Sequence, residues 1–411
     1  MRVTIAPSHP AGTVLAPSSK SIGHRMLICA GLAEGESRIE GLTFSQDILA
    51  TIDCLRALGA QIEIAGDAAR VVGADLFTAG EAVLPCRESG STLRFFLPLC
   101  LLSSSEKTLV GAPSLLSRPQ QIYRTLCAER GIAFSQSETA ITVCGRLSGG
   151  CYRLDGSVSS QFFSGLLFAL PLLDGDSEIV IENGLQSRSY LELTRTALAD
   201  SGVKTGWAGK ERLIIPGRQR YRPICGRVEG DYSGAAFFSA LDRVFGSGIS
   251  VEGLRPDSGQ GDSVYPALFD RIAAHDPTPI DLTDCPDLGP ICFALAAELG
   301  GGRFVGTERL KWKESDRIAA MARELRAMGG ELREENGCVT VENRPLHAPD
   351  RVLCGHNDHR IVMSLSVLLA RYGGTIEGAE AVSKSMPDFF ERLRALGVNV
   401  ISEEAHAGSS Q

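Results

Sequence analysis

Along the chain one pattern of apolar and polar positions keeps returning: a polar cluster, an apolar run of helical length, a Gly-rich turn, and a short β-branched stretch closed by glycine. The copies read SKSIGHRMLICAGLAEGESRIEGL, SGSTLRFFLPLCLLSSSEKTLVGA, SSQFFSGLLFALPLLDGDSEIVIENG, DYSGAAFFSALDRVFGSGISVEGL, PDLGPICFALAAELGGGRFVGTERL and NDHRIVMSLSVLLARYGGTIEGAEAV. Their closing glycines are Gly41, Gly111, Gly184, Gly253, Gly306 and Gly378, spaced by 70, 73, 69, 53 and 72 residues. Such a recurrence marks a protein built from copies of one supersecondary unit, each too small to bury its helices alone.

Between copies, DCLRALGAQIEI, RTLCAERGIAFSQ, RTALADSGVKTGW, AMARELRAMGGELRE and FFERLRALGVNV each predict a second helix that stops at glycine and runs into a strand. The fourth copy has ALFDRIAAHDPTPIDL there, without that glycine, and this matches its short spacing. Strands alternating with two helices per copy predict an α/β protein. Six copies divide into two domains of three, residues 14–228 and residues 1–13 with 229–401. The crossings fall near SHPAGTVLAP and CGRVEGDYSG, where Gly and Pro gather, and 402–411 reads as a frayed tail.

A length of 411 residues suits two or three domains, and 44% hydrophobic with 22% charged residues is ordinary globular composition. The apolar runs fall short of the ~20 residues that span a bilayer, and MRVTIAPSHPAG lacks an apolar signal core, so a cytoplasmic protein without membrane contact is expected. No long exposed apolar helix argues for more than a monomer. The net charge of −8 argues against nucleic acid as a partner. Any anionic ligand must therefore be attracted by locally placed cations. The twelve cysteines include no C-x-x-C pair and are expected as reduced thiols.

The clusters that open the apolar helices hold Ser19, Lys20 and Ser21; Ser89 and Gly90; Ser159, Ser160 and Gln161; Asp231 and Ser233; Asp287; and Asn357 with Asp358. Ser, Asp and Asn are preferred N-caps, so any one cluster alone is explained as a cap. The cations Lys20, Arg25, Arg94 and Arg360 are not explained that way, because a helix start already carries free N–H groups and the positive end of the dipole. They point to a phosphate or carboxylate ligand. The stretch KWKESDR adds Lys313, Glu314, Asp316 and Arg317, for which a solvated charge face is an equal explanation, and Lys384 precedes a Pro-Asp helix start. His356 and His359 stand at i, i+3 with no third ligand nearby, so no metal is expected. No G-x-x-x-x-G-K-[ST] loop occurs.

In order and spacing, PSSKSIGHR, ESGSTLR, SRPQQIY, DGSVSSQFFSGLL, VEGDYSGAAFF, PDLGP, KESDR, NDHRIVMSL and SKSMPDFFERL resemble the motifs of the 5-enolpyruvylshikimate-3-phosphate synthase family over nearly the whole chain. The resemblance implies an α/β (α+β) fold of two similar domains, each of three βαβαββ units, the inside-out α/β barrel type of the enolpyruvyl transferases. The chain's first strand would join the C-terminal domain. It implies transfer of the enolpyruvyl group of phosphoenolpyruvate to the 5-hydroxyl of shikimate 3-phosphate, on the route to chorismate, with no cofactor.

Carried over by motif, Lys20, Ser21, Arg25, Ser159, Ser160, Gln161, Ser187 and Tyr190 would hold shikimate 3-phosphate in the N-terminal domain, with Asp287 and Lys313 at its 5-hydroxyl. Lys20, Gly90, Arg94, Arg118, Gln161, Arg317, Arg360 and Lys384 would hold phosphoenolpyruvate. The catalytic set would be Asp287 as base, Glu314 as proton donor to the methylene carbon, and Lys20. Two phosphates and two carboxylates bring roughly −5 to −6 in all, which the named cations neutralise locally. Ser18 and Glu88 depart from the family pattern, Glu88 replacing an amide near the phosphoenolpyruvate pocket, with consequences for that substrate and for glyphosate. Arg309 stands where some members place an Asn, and no role is assigned to it.

Two other readings remain in view. The sister transferase that acts on UDP-N-acetylglucosamine would carry an Asn after the first Lys and a Cys in the loop before the Arg. Here Ser21 follows Lys20, and GAPSLLSRP has no Cys before Arg118. A non-catalytic repeat scaffold accounts for the periodicity and the caps but not for the cations.

Overall fold

Every apolar run forms a helix buried along most of its length, and the β-branched stretch that follows it joins a small sheet. The computed structural model describes residues 1–403. The chain divides into two halves: a central half, Ser18–Glu229, and a terminal half made of Met1–Pro17 with the chain from Gly230 onward. Each half has its own apolar core.

In the central half the second copy shows the plan. Strands Ala82–Arg87 and Lys107–Gly111 pair in parallel on either side in sequence of helix Gly90–Cys100. Helix Gln121–Glu129 then leads to the hairpin Ala133–Gln136 and Ala140–Cys144, whose second strand pairs antiparallel with Lys107–Gly111. Counted along the copy, the sheet order is first, second, fourth, third strand. The third copy repeats it with Gly150–Asp155, Ser177–Glu182, Arg212–Ile215 and Gly206–Trp207. In the first copy the parallel partner of Glu36–Glu40 is Cys225–Arg227, from the far end of the half. Among the described residues the strands form six separate sheets, none a closed barrel.

The terminal half varies this plan in two places. The fourth copy has only the parallel pair Thr13–Leu15 and Ser250–Glu252, with no hairpin, which accounts for its short spacing. In the sixth copy Arg2–Ile5 lies antiparallel to both Gly374–Glu377 and Val400–Glu403, filling the fourth-strand position. The first strand of the chain thus completes the last sheet of the terminal half.

Two expected boundaries shift for physical reasons. Thr13–Leu15 is held by its ladder to Ser250–Glu252, so the division falls after Pro17 and not after Thr13. The Glu229 carbonyl accepts the Ser19 amide at 2.8 Å, so Glu229 stays with the central half. Ser402 and Glu403, expected in a frayed tail, are strand residues paired with Arg2–Ile5, while the rest of that tail, 404–411, lies outside the described residues.

Local chemistry explains the helix ends. Gly59, Gly131, Gly202, Gly329 and Gly397 each follow the C-cap of a second helix with φ between 65° and 103°, the left-handed region that glycine enters without steric cost. In the fourth copy His275 takes that position at φ 53°. The first helices are the main apolar payload. Helix Ser160–Ala169 buries Phe162, Phe163, Leu166, Leu167 and Phe168 completely, about 1.5–3 kcal/mol each. Among the described residues no helix is long and apolar enough to cross a membrane. The twelve cysteines, all among the described residues, are free thiols, and burial pushes Cys29 up to about 12, far from a reactive thiolate.

Candidate active site

In the central half Lys20 and Arg25 lie near the start of helix Lys20–Leu32 and Arg94 near the start of helix Gly90–Cys100. Lys20 opens helix Lys20–Leu32 and its Nζ donates to Asp47 Oδ2 at 2.8 Å, an acceptor in the first turn of helix Gln46–Ala57. One turn later Arg25 is buried over the Phe95 ring and donates from Nε to Thr194 Oγ1 at 2.8 Å, from Nη1 to the Ser21 carbonyl at 2.6 Å and from Nη2 to the Tyr190 carbonyl at 2.9 Å. Burial lowers its pKa to about 10, still cationic at neutral pH. Arg25 therefore fastens Ser21 and Tyr190, two of the expected shikimate 3-phosphate residues. Ser187, the N-cap of helix Arg188–Asp200 at φ 54°, is buried.

A second group gathers where helices Gly90–Cys100 and Ser160–Ala169 begin. Arg94 donates from Nη1 to Gln161 Oε1 at 2.7 Å and stacks on Phe162, and Gln161 Nε2 donates to Ser91 Oγ at 3.0 Å. A Cβ built on Gly90 would come within 3.0 Å of Arg118 Nη1 and 3.8 Å of Gln161 Oε1, so a side chain here would press on the Arg118 guanidinium. The structure thus brings Gly90, Arg94, Arg118 and Gln161 together. Ser89 and Ser159 cap these helices, accepting the Thr92 and Gln161 amides at 3.2 and 3.3 Å, while Ser160 is buried in the first turn.

In the terminal half the charges form one network around Asp287, in the turn Pro286–Leu288 just before helix Gly289–Leu299. Asp287 Oδ1 accepts Arg317 Nη1 at 3.0 Å and Lys313 Nζ at 3.4 Å, and Oδ2 accepts Arg360 Nη2 at 2.9 Å. Arg360 also donates to the Asp287 carbonyl at 3.1 Å and to Ser233 Oγ at 3.0 Å. Arg317 donates further to Glu314 Oε2 at 2.7 Å and Asp358 Oδ2 at 2.8 Å. The solvated charge face considered for this stretch is excluded, because Arg317 is 1% exposed. Lys384 donates to the Asn357 carbonyl at 2.6 Å.

Burial by itself would raise the Asp287 pKa, but Arg360, Lys313 and Arg317 outweigh it and hold the carboxyl well below the carboxylate range. Lys313 is lowered, since burial and Arg317 outweigh the attraction of Asp287. Arg317 is raised, the three carboxylates outweighing its desolvation.

Among the described residues no group of three or more His, Cys, Asp and Glu side chains is placed to hold a metal. His356 pairs instead with buried Glu324, Nε2 to Oε1 at 2.8 Å.

The family model described as EPSP synthase (3-phosphoshikimate 1-carboxyvinyltransferase) matches residues 6–393. The chain belongs to the EPSP synthase family. Curated relatives include the 3-phosphoshikimate 1-carboxyvinyltransferase of Clostridium perfringens strain ATCC 13124, 35% identical with 96% of this chain and 98% of that one covered. That of Clostridium kluyveri is 36% identical, with 96% and 97% covered. A solved EPSP synthase of Acinetobacter baumannii matches in fold at a TM-score of 0.79 and 22% identity, covering 97% of this chain and 99% of that one. The two-domain α/β fold of EPSP synthases is therefore the fold of this chain.

Within this EPSP synthase framework some participants escape sequence reading. Asp47, the partner of Lys20, looks locally like an ordinary first-turn acid behind the Ser45 cap, and nothing in sequence ties it to a residue 27 positions away. Asp358 reads as a cap, and it is one, accepting the Arg360 amide at 2.9 Å; its second role as anchor of Arg317 needs the fold. His24 carried a signal, standing at i+4 from Lys20 on the same helix face.

Proposed function

We infer that the protein transfers the enolpyruvyl group of phosphoenolpyruvate to the 5-hydroxyl of shikimate 3-phosphate with release of phosphate, a step of aromatic amino acid biosynthesis, and that it does so with the residues described above. The observation that carries the residue assignment is Asp287 set among Arg317, Arg360 and Lys313, with Glu314 on the far side of Arg317. In the addition half the alcohol loses a proton and forms a bond to the central carbon while the methylene carbon gains a proton. In the elimination half the bond to phosphate breaks and the methyl group so formed gives a proton back, which restores the double bond and calls for two carboxyl groups in different states.

Asp287 is the base. Three cations make it a weak one, and that is the point of the arrangement: the phosphate and carboxylate of phosphoenolpyruvate compete for the same cations. As Arg360, Arg317 and Lys313 turn to the ligand, the Asp287 carboxylate loses stabilisation and gains basicity. Glu314, released by Arg317 in the same shift, takes up a proton and delivers it to carbon. Binding and activation are then one event.

Arg94, Arg118, Gln161 and Gly90 form the remaining cradle for phosphoenolpyruvate, with Lys20 and Lys384 as point charges. Planar Arg suits paired contacts with carboxylate and phosphate oxygens. Ser21, Arg25, Ser159, Ser160, Gln161, Ser187 and Tyr190 hold shikimate 3-phosphate, with Lys20 and Lys313 on its charged and hydroxyl groups. The exchange is redox neutral. We further propose a monomeric cytoplasmic enzyme, on the ground that large exposed apolar side chains such as Leu15, Val83 and Trp312 come singly along the described chain.

Incubation with phosphoenolpyruvate and shikimate 3-phosphate is expected to release phosphate, and replacement of the acceptor by UDP-N-acetylglucosamine is expected to abolish release. Release with the second acceptor alone would overturn the reading.

A further inference from the structure

A chain of side-chain hydrogen bonds runs through the central half from His24 to Ser89, and none of its four members is more than 1% exposed. His24 Nδ1 lies 2.7 Å from Thr51 Oγ1, Thr51 Oγ1 lies 2.9 Å from Thr92 Oγ1, and Thr92 Oγ1 donates to Ser89 Oγ at 2.8 Å. Counting protons fixes the direction. Thr92 spends its hydroxyl proton on Ser89, so toward Thr51 it accepts. Thr51 must then donate to Thr92, so toward His24 it accepts. The remaining donor is His24 Nδ1–H.

The chain ends at a turn with a job. Ser89 caps helix Gly90–Cys100, and Gly90 is the residue whose missing Cβ leaves room for Arg118 and Gln161. A change at Ser89 acts on the first turn that Gly90 opens, and Arg118 Nη1, 3.0 Å from where a Gly90 Cβ would stand, must adjust with it. A neutral imidazole suits the origin of such a chain, since it donates a proton without placing a third cation beside Lys20 and Arg25.

We propose that His24 is a positioning residue for phosphoenolpyruvate: acting through Thr51, Thr92 and Ser89, it fixes the Gly90 turn against which Arg118 and Gln161 pack, an inference that rests on the reading of Gly90, Arg94, Arg118 and Gln161 as the cradle for that substrate. A purely structural histidine would affect folding and both substrates alike. A positioning one splits them.

The test is steady-state kinetics in each substrate, with thermal melting, on Thr51→Val, His24→Leu, Thr51→Ser and His24→Asn, with Arg118→Met for comparison. Thr51→Val keeps the side-chain shape and deletes the relay. It and His24→Leu are expected to raise the KM for phosphoenolpyruvate about tenfold, as for one lost hydrogen bond, and to leave the KM for shikimate 3-phosphate within about twofold. Thr51→Ser restores the hydroxyl and His24→Asn places an amide N–H near the Nδ1 position, so both should return the KM for phosphoenolpyruvate to within about twofold of the parent. The double variant Thr51→Val with His24→Leu should be no worse than either single one, since the chain is already broken. If His24→Leu fails to fold, Thr51→Val carries the test. An unchanged KM for phosphoenolpyruvate in Thr51→Val beside a raised one in Arg118→Met overturns this proposal alone. An unchanged value in Arg118→Met removes the cradle and the proposal with it. Equal rises for both substrates reduce His24 to a structural residue.

Discussion

Arg317 and Asp358 are joined at 2.8 Å, Nε to Oδ2, in a pair whose side chains are 1% and 0% exposed. Neither ion has water to fall back on. Arg317 also holds Glu314 and Asp287, so one guanidinium organises three carboxylates of the terminal half.

Removing Arg317 leaves buried negative charge uncompensated, which costs about 3–5 kcal/mol when one partner of a buried pair is deleted. Arg317→Met should therefore lower the melting temperature by roughly 10 °C. Asp358→Asn combined with Arg317→Met should cost less than the sum of the two, because the second change removes the orphaned charge. Additive losses in differential scanning calorimetry would show that the pair is not coupled.

Asp287→Asn separates binding from chemistry. The base is gone, and turnover should fall by ~10² or more. The same change removes the internal counter-ion of Arg360, Lys313 and Arg317, leaving those cations to the ligand. The KM for phosphoenolpyruvate should stay level or fall. A raised KM with normal turnover would assign Asp287 to substrate binding and not to proton transfer.

How far the sequence carried this picture differs between backbone and side chains. The six copies, the second-helix glycines and the missing glycine turn of the fourth copy were legible because they rest on local periodicity and on Gly59, Gly131, Gly202, Gly329 and Gly397 needing positive φ. His275 in the same conformation shows where a local rule is relaxed without loss of the turn. The crossing at Pro17 was misplaced because Thr13–Leu15 looks the same whether it pairs with its own copy or with Ser250–Glu252, a partner over 230 residues away. Caps were legible at Ser89, Ser159, Asp231 and Asp358. Their further uses were not, since a carboxylate that caps one helix and anchors an arginine on another leaves a trace of only the first role in sequence.

Glu88 tests how charge sets inhibitor affinity. It is partly exposed and directly precedes the Ser89–Gly90 turn, so its carboxylate adds negative charge beside a cradle read as binding anions. A like charge in a poorly hydrated pocket is repulsive. Glu88→Asn should lower both the inhibition constant of glyphosate and the KM for phosphoenolpyruvate. An inhibition constant that does not fall would place the Glu88 charge outside the reach of the ligand.

The buried imidazole of His24 should also leave a mark on stability. Burial first, then the charges of Lys20 and Arg25, hold its folded-state pKa well below the ordinary 6.5. The unfolded chain takes up a proton as pH falls through that ordinary value, while the folded protein does not. The unfolded state therefore binds more protons below it, and stability is fully present above about pH 6.5 and declines as pH falls, by about 1.4 kcal/mol per unit for one proton, until the folded imidazole itself titrates. Depressed carboxylates such as Asp287 act in the same direction but only from near their ordinary value of 3.8 downward. Glu298, which burial raises above its ordinary 4.5, is common to parent and variant, so the difference between the two proteins from about pH 6.5 to about 5 reports the histidine. His24→Asn, which keeps the donor and loses the titration, should flatten the melting temperature across that interval relative to the parent. Parallel curves for the two proteins would mean that the folded imidazole gains its proton as readily as the unfolded one, and that the chain toward Ser89 does not depend on a neutral ring.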